Sequence, residues 1–179
     1  MLEQDNTALV VIDVQGKLAQ TMHEKEQLFA NLHRLVRGAQ LLDIPILLTE
    51  QYPQGLGETI PELKSLLPDT NPITKMSFSC CGEDAFMYAI EELDCEQLIL
   101  CGIETHVCVY QTAMDLLGED FDVHIVADAV SSRTAENKRL GLERLREEGA
   151  TLTSTEMALF ELLRQAGTPV FKEISKLVK

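Results

Sequence analysis

This sequence has little positive charge. Its 179 residues hold 15 lysines and arginines against 29 aspartates and glutamates, a formal net charge of −14 at pH 7. The basic residues are scattered apart from a small tail group, Lys172, Lys176 and Lys179. No cationic track is available for a phosphate backbone, so nucleic acid is not an expected partner. Long apolar runs are also missing: none approaches the roughly 20 residues a membrane span needs. The opening stretch MLEQDNTALVVIDVQ has no basic segment of the kind that begins a secretion signal. A soluble, cytoplasmic protein without a membrane partner is expected. The five cysteines are odd in number, irregularly spaced and without a CxxC pair, which argues against a disulfide framework or zinc ribbon and for reduced thiols. There is no internal repeat, linker or low-complexity segment. The length suits one well-packed domain spanning residues 1–179 and is short for two.

What is present is an alternation of short apolar runs with amphipathic stretches. Around residues 96–110, EQLILCGIETHVCVY, the run Leu98 to Cys101 reads as a strand buried on both faces, which Gly102 ends. From Thr105, placed as an N-cap, apolar residues recur at three and four residues: Val107, Tyr110, Ala113, Met114 and Leu117. A strand therefore hands over to a helix within a few residues. That turn presents backbone N–H groups and the Cys108 side chain at the carboxyl edge of a sheet, where ligands bind in open α/β folds. A thiol at a helix start can be held as thiolate, and the N–H groups can hold an oxyanion. On these surroundings the Cys108 thiol is expected to titrate below the roughly 8.5 of a free cysteine. A buried cysteine on a core helix is nevertheless the more common outcome for such a residue.

In chain order, ALVVID from Ala8 to Asp13 is a first central strand that places Asp13 at the rim. Residues 24–42 follow as an amphipathic helix closed before Pro45. ILLT, residues 46–49, is a second strand and opens into EQYPQGLGETIPEL, a loop rich in Pro and Gly at the same end as Asp13. Gln51 and Tyr52 are candidates for a pocket wall, although either residue alone is more often structural. Ile73 and Thr74 read as a brief third strand with Lys75 last, beside Asp13 if the two strands are neighbours. Residues 83–93 form a helix, FDVHIVAD a fifth strand ending at Asp128, residues 135–148 a helix, and ATLTS a sixth strand. Ser154 and Thr155 cap a helix reaching Leu163, and a last helix follows Pro169. Asp128, Ser132 and Arg133 are read as fixing their loop and a subunit contact. Strands alternating with helices predict a parallel sheet covered on both faces.

ALVVIDVQ, the TK at the third strand and CGIETHVCV, in that order, resemble the isochorismatase-like cysteine hydrolases, and the resemblance extends over essentially the whole chain. It is nearest to the short isochorismatase domain-containing proteins, which have counterparts of EQYPQGLG and GIETHVCV. The resemblance implies a three-layer α/β/α sandwich with strand order 3-2-1-4-5-6 and a catalytic triad of Asp13, Lys75 and Cys108. It implies a cis peptide between Ile103 and Glu104, with the Glu104 and Cys108 N–H groups as an oxyanion hole. Gln15, Gln51, Tyr52 and Ile103 are expected at the substrate, and a homo-oligomer is expected because family members commonly assemble. Nicotinamidases of the family carry an aspartate and two histidines after the second strand as metal ligands. Here EQYPQGLGE occupies that place and no histidine lies between His33 and His106, so no metal and no other cofactor is expected.

Members that cleave the vinyl ether of isochorismate lack the cysteine; its retention here argues for hydrolysis of a C–N bond, amide or ureido, in a small molecule through a thioester. Asp13 would take and return the thiol proton while Lys75 keeps the carboxylate charged. The competing expectation is a binding or scaffolding protein on the same fold, which Cys108→Ala would leave intact.

Overall fold

The computed structural model describes residues 1–179. In chain order the elements are β1 (Thr7–Ile12), α1 (Gly16–Ala19), α2 (Lys25–Leu41), β2 (Ile46–Gln51), α3 (Pro53–Leu56), α4 (Pro61–Lys64), β3 (Ile73–Lys75), α5 (Asp84–Leu93), β4 (Gln97–Ile103), α6 (Tyr110–Gly118), β5 (Asp122–Ser131), α7 (Ala135–Glu147), β6 (Thr151–Thr153), α8 (Thr155–Leu163) and α9 (Pro169–Leu177). The six strands form one sheet in the order 3-2-1-4-5-6, every pairing parallel.

The two core layers follow from side-chain alternation along the central strands. Leu9 and Val11 of β1 join Ile99 and Cys101 of β4 under α2, α8 and α9, in a cluster of 26 buried residues. Ala8, Val10 and Ile12 join Leu98 and Leu100 on the other face, under α5, α6 and α7, in a cluster of 18. Every residue of β1 and β4 is buried, which accounts for their unbroken apolar runs. Each large aliphatic side chain removed from water here contributes about 1.5–3 kcal/mol.

Two glycines set distances between elements. A Cβ on Gly38 would lie 2.3 Å from Cδ2 of Leu159, so α2 meets α8 closely. At Gly102, φ is +120° and a Cβ would fall 2.1 Å from the Ile12 carbonyl oxygen. Gly102 therefore does not end β4 as its sequence context suggested. It lies inside the strand, opposite Ile12 of β1, and β4 continues to Ile103 against β5.

β5 also runs past Asp128, to Ser131. Its register against β4 slips: Leu100 faces Ile125 and Gly102 faces Val130, so two steps along β4 match five along β5. The resulting bulge directs Asp128 to α8, where its Oδ1 accepts from the Thr155 N–H at 2.8 Å and the Thr155 hydroxyl at 2.9 Å. Ser154 is the N-cap of α8, accepting from the Met157 N–H, a contact worth about 1 kcal/mol. Thr155 thus serves the Asp128 contact and not the cap.

Candidate active site

β1 delivers Asp13 at its carboxyl end in a left-handed backbone conformation, φ 53°, with only 2% of the residue exposed. A carboxylate so buried requires partners. Its Oδ1 accepts from the Thr49 hydroxyl at 2.8 Å, and its Oδ2 lies 2.6 Å from the Lys75 ammonium. No other donor engages Oδ2, which leaves that oxygen able to take a proton.

Lys75 does not come from a neighbouring strand, since β2 stands between β3 and β1. Its side chain crosses β2 on the face that carries Thr49 and Gln51, and it is fully buried there. The ammonium also donates to Gln51 Oε1 at 2.7 Å, the Phe78 carbonyl at 3.0 Å and the Ser77 carbonyl at 3.2 Å. These oxygens accept from an amine that water no longer reaches.

β4 ends at Ile103, and the peptide bond joining Ile103 to Glu104 is cis. The chain then makes a π-helical turn over Thr105–Val109 before α6 begins at Tyr110. Thr105 is not the expected cap: Glu104 holds that position, no side chain closes the turn, and the Thr105 hydroxyl is buried without a partner. The Glu104 N–H has no acceptor within the chain. Its carboxylate is paired with Arg133 Nε at 2.6 Å, on a side chain only 11% exposed. Ser132 meets His106 Nδ1 at 3.0 Å, so Ser132 and Arg133 both brace the cysteine turn.

Cys108 is 8% exposed and lies in the same apolar layer as Cys80. Contrary to the depressed titration expected for a helix-start thiol, it is pushed up to about 12. Burial is the largest cause, the Asp13 negative charge adds to it, and the opposing pull of Lys75 is smaller. Cys80 is not remote from this charge either. Its Sγ lies 3.8 Å from the Thr49 hydroxyl, and burial followed by Asp13 raises it to about 11.

The remaining candidates divide. Gln51 is buried, with its amide between Lys75 and the Met76 carbonyl. Gln15 spends both amide protons on main-chain carbonyls, of Gln51 and Gly57, and accepts from the Gln51 N–H. It braces the loop behind the site. The Ile103 side chain is fully buried in the larger core cluster, and its carbonyl belongs to the cis peptide bond. Tyr52 is 46% exposed, and its N–H donates to the Lys75 carbonyl. The sequence reading missed Thr49, whose signal was a polar residue closing an otherwise apolar run one strand away from Asp13. No group of three or more His, Cys, Asp or Glu side chains is placed to hold a metal ion.

The model of the isochorismatase domain matches residues 7–157, most of the chain, from β1 to the first turn of α8. The chain belongs to the isochorismatase family. Isochorismatase domain-containing protein 2 of Danio rerio is 42% identical over 177 residues, covering 99% of this chain and 89% of the relative. Among solved structures, the MAR1 ribonuclease of Caenorhabditis elegans superposes with a TM-score of 0.93 at 38% identity, covering 99% of this chain and 91% of the other. The YcaC gene product of Escherichia coli, described as an octameric hydrolase of unknown specificity, gives 0.92 at 25% identity, covering 98% and 89%. As an isochorismatase-family chain with hydrolase neighbours, the protein is a hydrolase at the family level. In this isochorismatase-family site, a thiol, a carboxylate with one open oxygen and a desolvated ammonium converge where β1, β3 and β4 end. No helix is long and apolar enough to cross a membrane.

Proposed function

We propose that this protein, one domain over residues 1–179, is a metal-independent cysteine hydrolase that cleaves an amide or ureido C–N bond of a small molecule. The observation that carries the reading is the buried Asp13–Lys75 pair, 2.6 Å apart, set against the Cys108 thiol. Because the resting thiol is protonated, Cys108 Sγ attacks the substrate carbonyl carbon while Asp13 Oδ2 takes its proton. The carbonyl electron pair moves to oxygen, which the Glu104 and Cys108 N–H groups stabilise. Asp13 returns the proton to the departing nitrogen, the C–N bond breaks and a thioester remains. Asp13 then deprotonates a water that adds to the thioester. Collapse of that adduct expels the sulfur, which regains the proton, and releases the acid. Lys75 offsets the Asp13 charge throughout. Gln51 positions Lys75, and Tyr52 lies at the mouth.

The test is a screen of small amides, ureido compounds and esters with the wild type and Cys108→Ala. Loss of at least about a thousandfold in turnover is expected in the variant. Undiminished activity would return the protein to the scaffold reading. Turnover is expected to be unchanged by a chelator, because three protein ligands for a catalytic zinc are not assembled at Asp13.

A second reading, RNA cleavage, is favoured by one observation, the name of the C. elegans structure. The net charge of −14 opposes it. Cleavage of a labelled RNA lost in Cys108→Ala would establish it. We further propose that the protein is a homo-oligomer in solution, as the E. coli neighbour is.

A further inference from the structure

Apart from the thiol site, the chain builds a cavity of about 610 Å³ between β2, α4 and the segment leading to β3. That volume is within the range of small-molecule sites. Alternation along β2 separates the two places: Thr49 and Gln51 point to Asp13 and Lys75, while Leu48 and Glu50 point to the opposite face and line the cavity.

Glu50 is the feature that points to an occupant. It is 5% exposed, and one carboxylate oxygen is bound by the Thr59 N–H at 2.6 Å and the Thr59 hydroxyl at 2.8 Å. The other has no donor within the chain and belongs to the cavity wall. That oxygen meets only the solvent of the cavity, and in a recess with low-dielectric walls an opposite charge satisfies it better than water does. The cation nearest to hand, Lys64, lines the same cavity but is held by Glu58 at 2.5 Å. Two carboxylates against one ammonium leave the cavity with one negative charge in excess. Around that charge, Leu48, Leu67 and the rings of Pro61, Pro68 and Pro72 supply apolar surface, and Thr70 and Asn71 supply hydrogen-bonding groups. Three prolines restrict the backbone of the walls, so the space is formed before anything enters.

We propose that this cavity binds a small organic cation, an ammonium or guanidinium carried on a short apolar body, with the free oxygen of Glu50 as its counter-charge. The apolar body packs on the proline rings, and the charged end displaces water from Glu50. Neither Cys108 nor Asp13 takes part, so binding is independent of the hydrolytic reading.

The experiment titrates the full chain with n-butylammonium chloride and, separately, sodium butyrate, following backbone amide shifts. Saturable shifts at Thr59 and Glu50 with the ammonium only are expected, in the millimolar range suited to so small a probe. Glu50→Gln keeps an acceptor for Thr59 and removes the charge; it should weaken binding about tenfold or more. Lys64→Gln, at an exposed position, removes the competing cation and should tighten binding. Equal shifts with butyrate, no saturable shift at Thr59, or a folded Glu50→Gln that binds as the wild type does would overturn the proposal. If Glu50→Gln does not fold, unchanged or weaker binding in Lys64→Gln overturns it instead.

Discussion

The same carboxylate acts on Cys108 in two opposing ways. Asp13 raises the thiol through its charge and as a hydrogen-bond partner, on top of the larger effect of burial. It also keeps one carboxylate oxygen open to a proton beside the thiol. With the thiol pushed up to about 12, the protonated form dominates at neutral pH. Asp13→Asn should therefore separate reactivity from turnover. The variant removes both contributions of the carboxylate and leaves the Lys75 charge, held by Gln51 and two carbonyls, so the thiol titrates lower. Alkylation of Cys108 by iodoacetamide, located by mass spectrometry between pH 7 and 9, is expected to become faster. Hydrolysis is expected to be lost, because the base is gone. Slower alkylation together with lost hydrolysis would mean that Asp13 acts only by holding Lys75 in place. At this scale Asp13 was legible because it closes an apolar run, whereas Lys75, after only Ile73 and Thr74, was joined to it by the family resemblance. The sign of the thiol shift was not legible: it depends on how much water reaches Cys108, and a helix start that lowers a thiol in solvent is outweighed under 8% exposure.

Strand endings decide where these groups meet, and Gly102 is the position most sensitive to change. Any side chain there enters the Ile12 main chain, with oxygen, nitrogen and carbonyl carbon all within 2.8 Å of the new Cβ. The neighbours are backbone and cannot rotate away, and the positive φ adds strain for an L residue. Gly102→Ala is expected to cost about 3 kcal/mol, equivalent to about 6–12 °C in the midpoint of thermal unfolding for a chain of this size. Gly118→Ala, at the end of α6 with nothing within 4 Å of the added Cβ, is the control and should change the midpoint by no more than about 2 °C. Calorimetry on the two variants makes the comparison; a Gly102→Ala midpoint equal to that of the control would show that β1 and β4 are not closed against each other. Apolar runs and helical spacing located every strand and every long helix to within a few residues. They failed where one residue type has two uses. A glycine after an apolar run reads as a stop, yet here it permits a close approach. A threonine before a helical pattern reads as a cap, yet Thr105 is buried in a π-helical turn. The slip in β5 leaves no mark in hydropathy, because Val126 and Ala129 are as buried as the strand residues on either side.

At the scale of the molecule, the charge and the apolar surface act in opposite directions. A net charge of −14 favours separate, well-solvated chains. Close to the thiol site, however, three large apolar side chains are left to solvent: Met76 is 68% exposed, Phe78 54% and Tyr52 46%. All three are tied to Lys75, by sequence adjacency for Met76, by the Lys75–Phe78 carbonyl contact, and by the Tyr52 N–H to Lys75 carbonyl bond. All three thus belong to segments that meet at Lys75, and exposed apolar residues near one another mark an interface more often than scattered ones do. In the last two helices, Ala158, Leu159, Leu162 and Ile174 are absorbed into the chain's own core. The group at 52, 76 and 78 is the better candidate for the contact. Light scattering at micromolar concentration should give a mass above that of one chain. A Met76→Ser, Phe78→Ser double variant should reduce it, because the substitutions remove exposed side chains while keeping the Phe78 carbonyl that holds Lys75. Raised salt should strengthen the wild-type assembly by screening the like charges of the subunits. A wild type that scatters as a monomer would remove the oligomer, whereas a double variant that assembles unchanged would place the contact elsewhere on the surface.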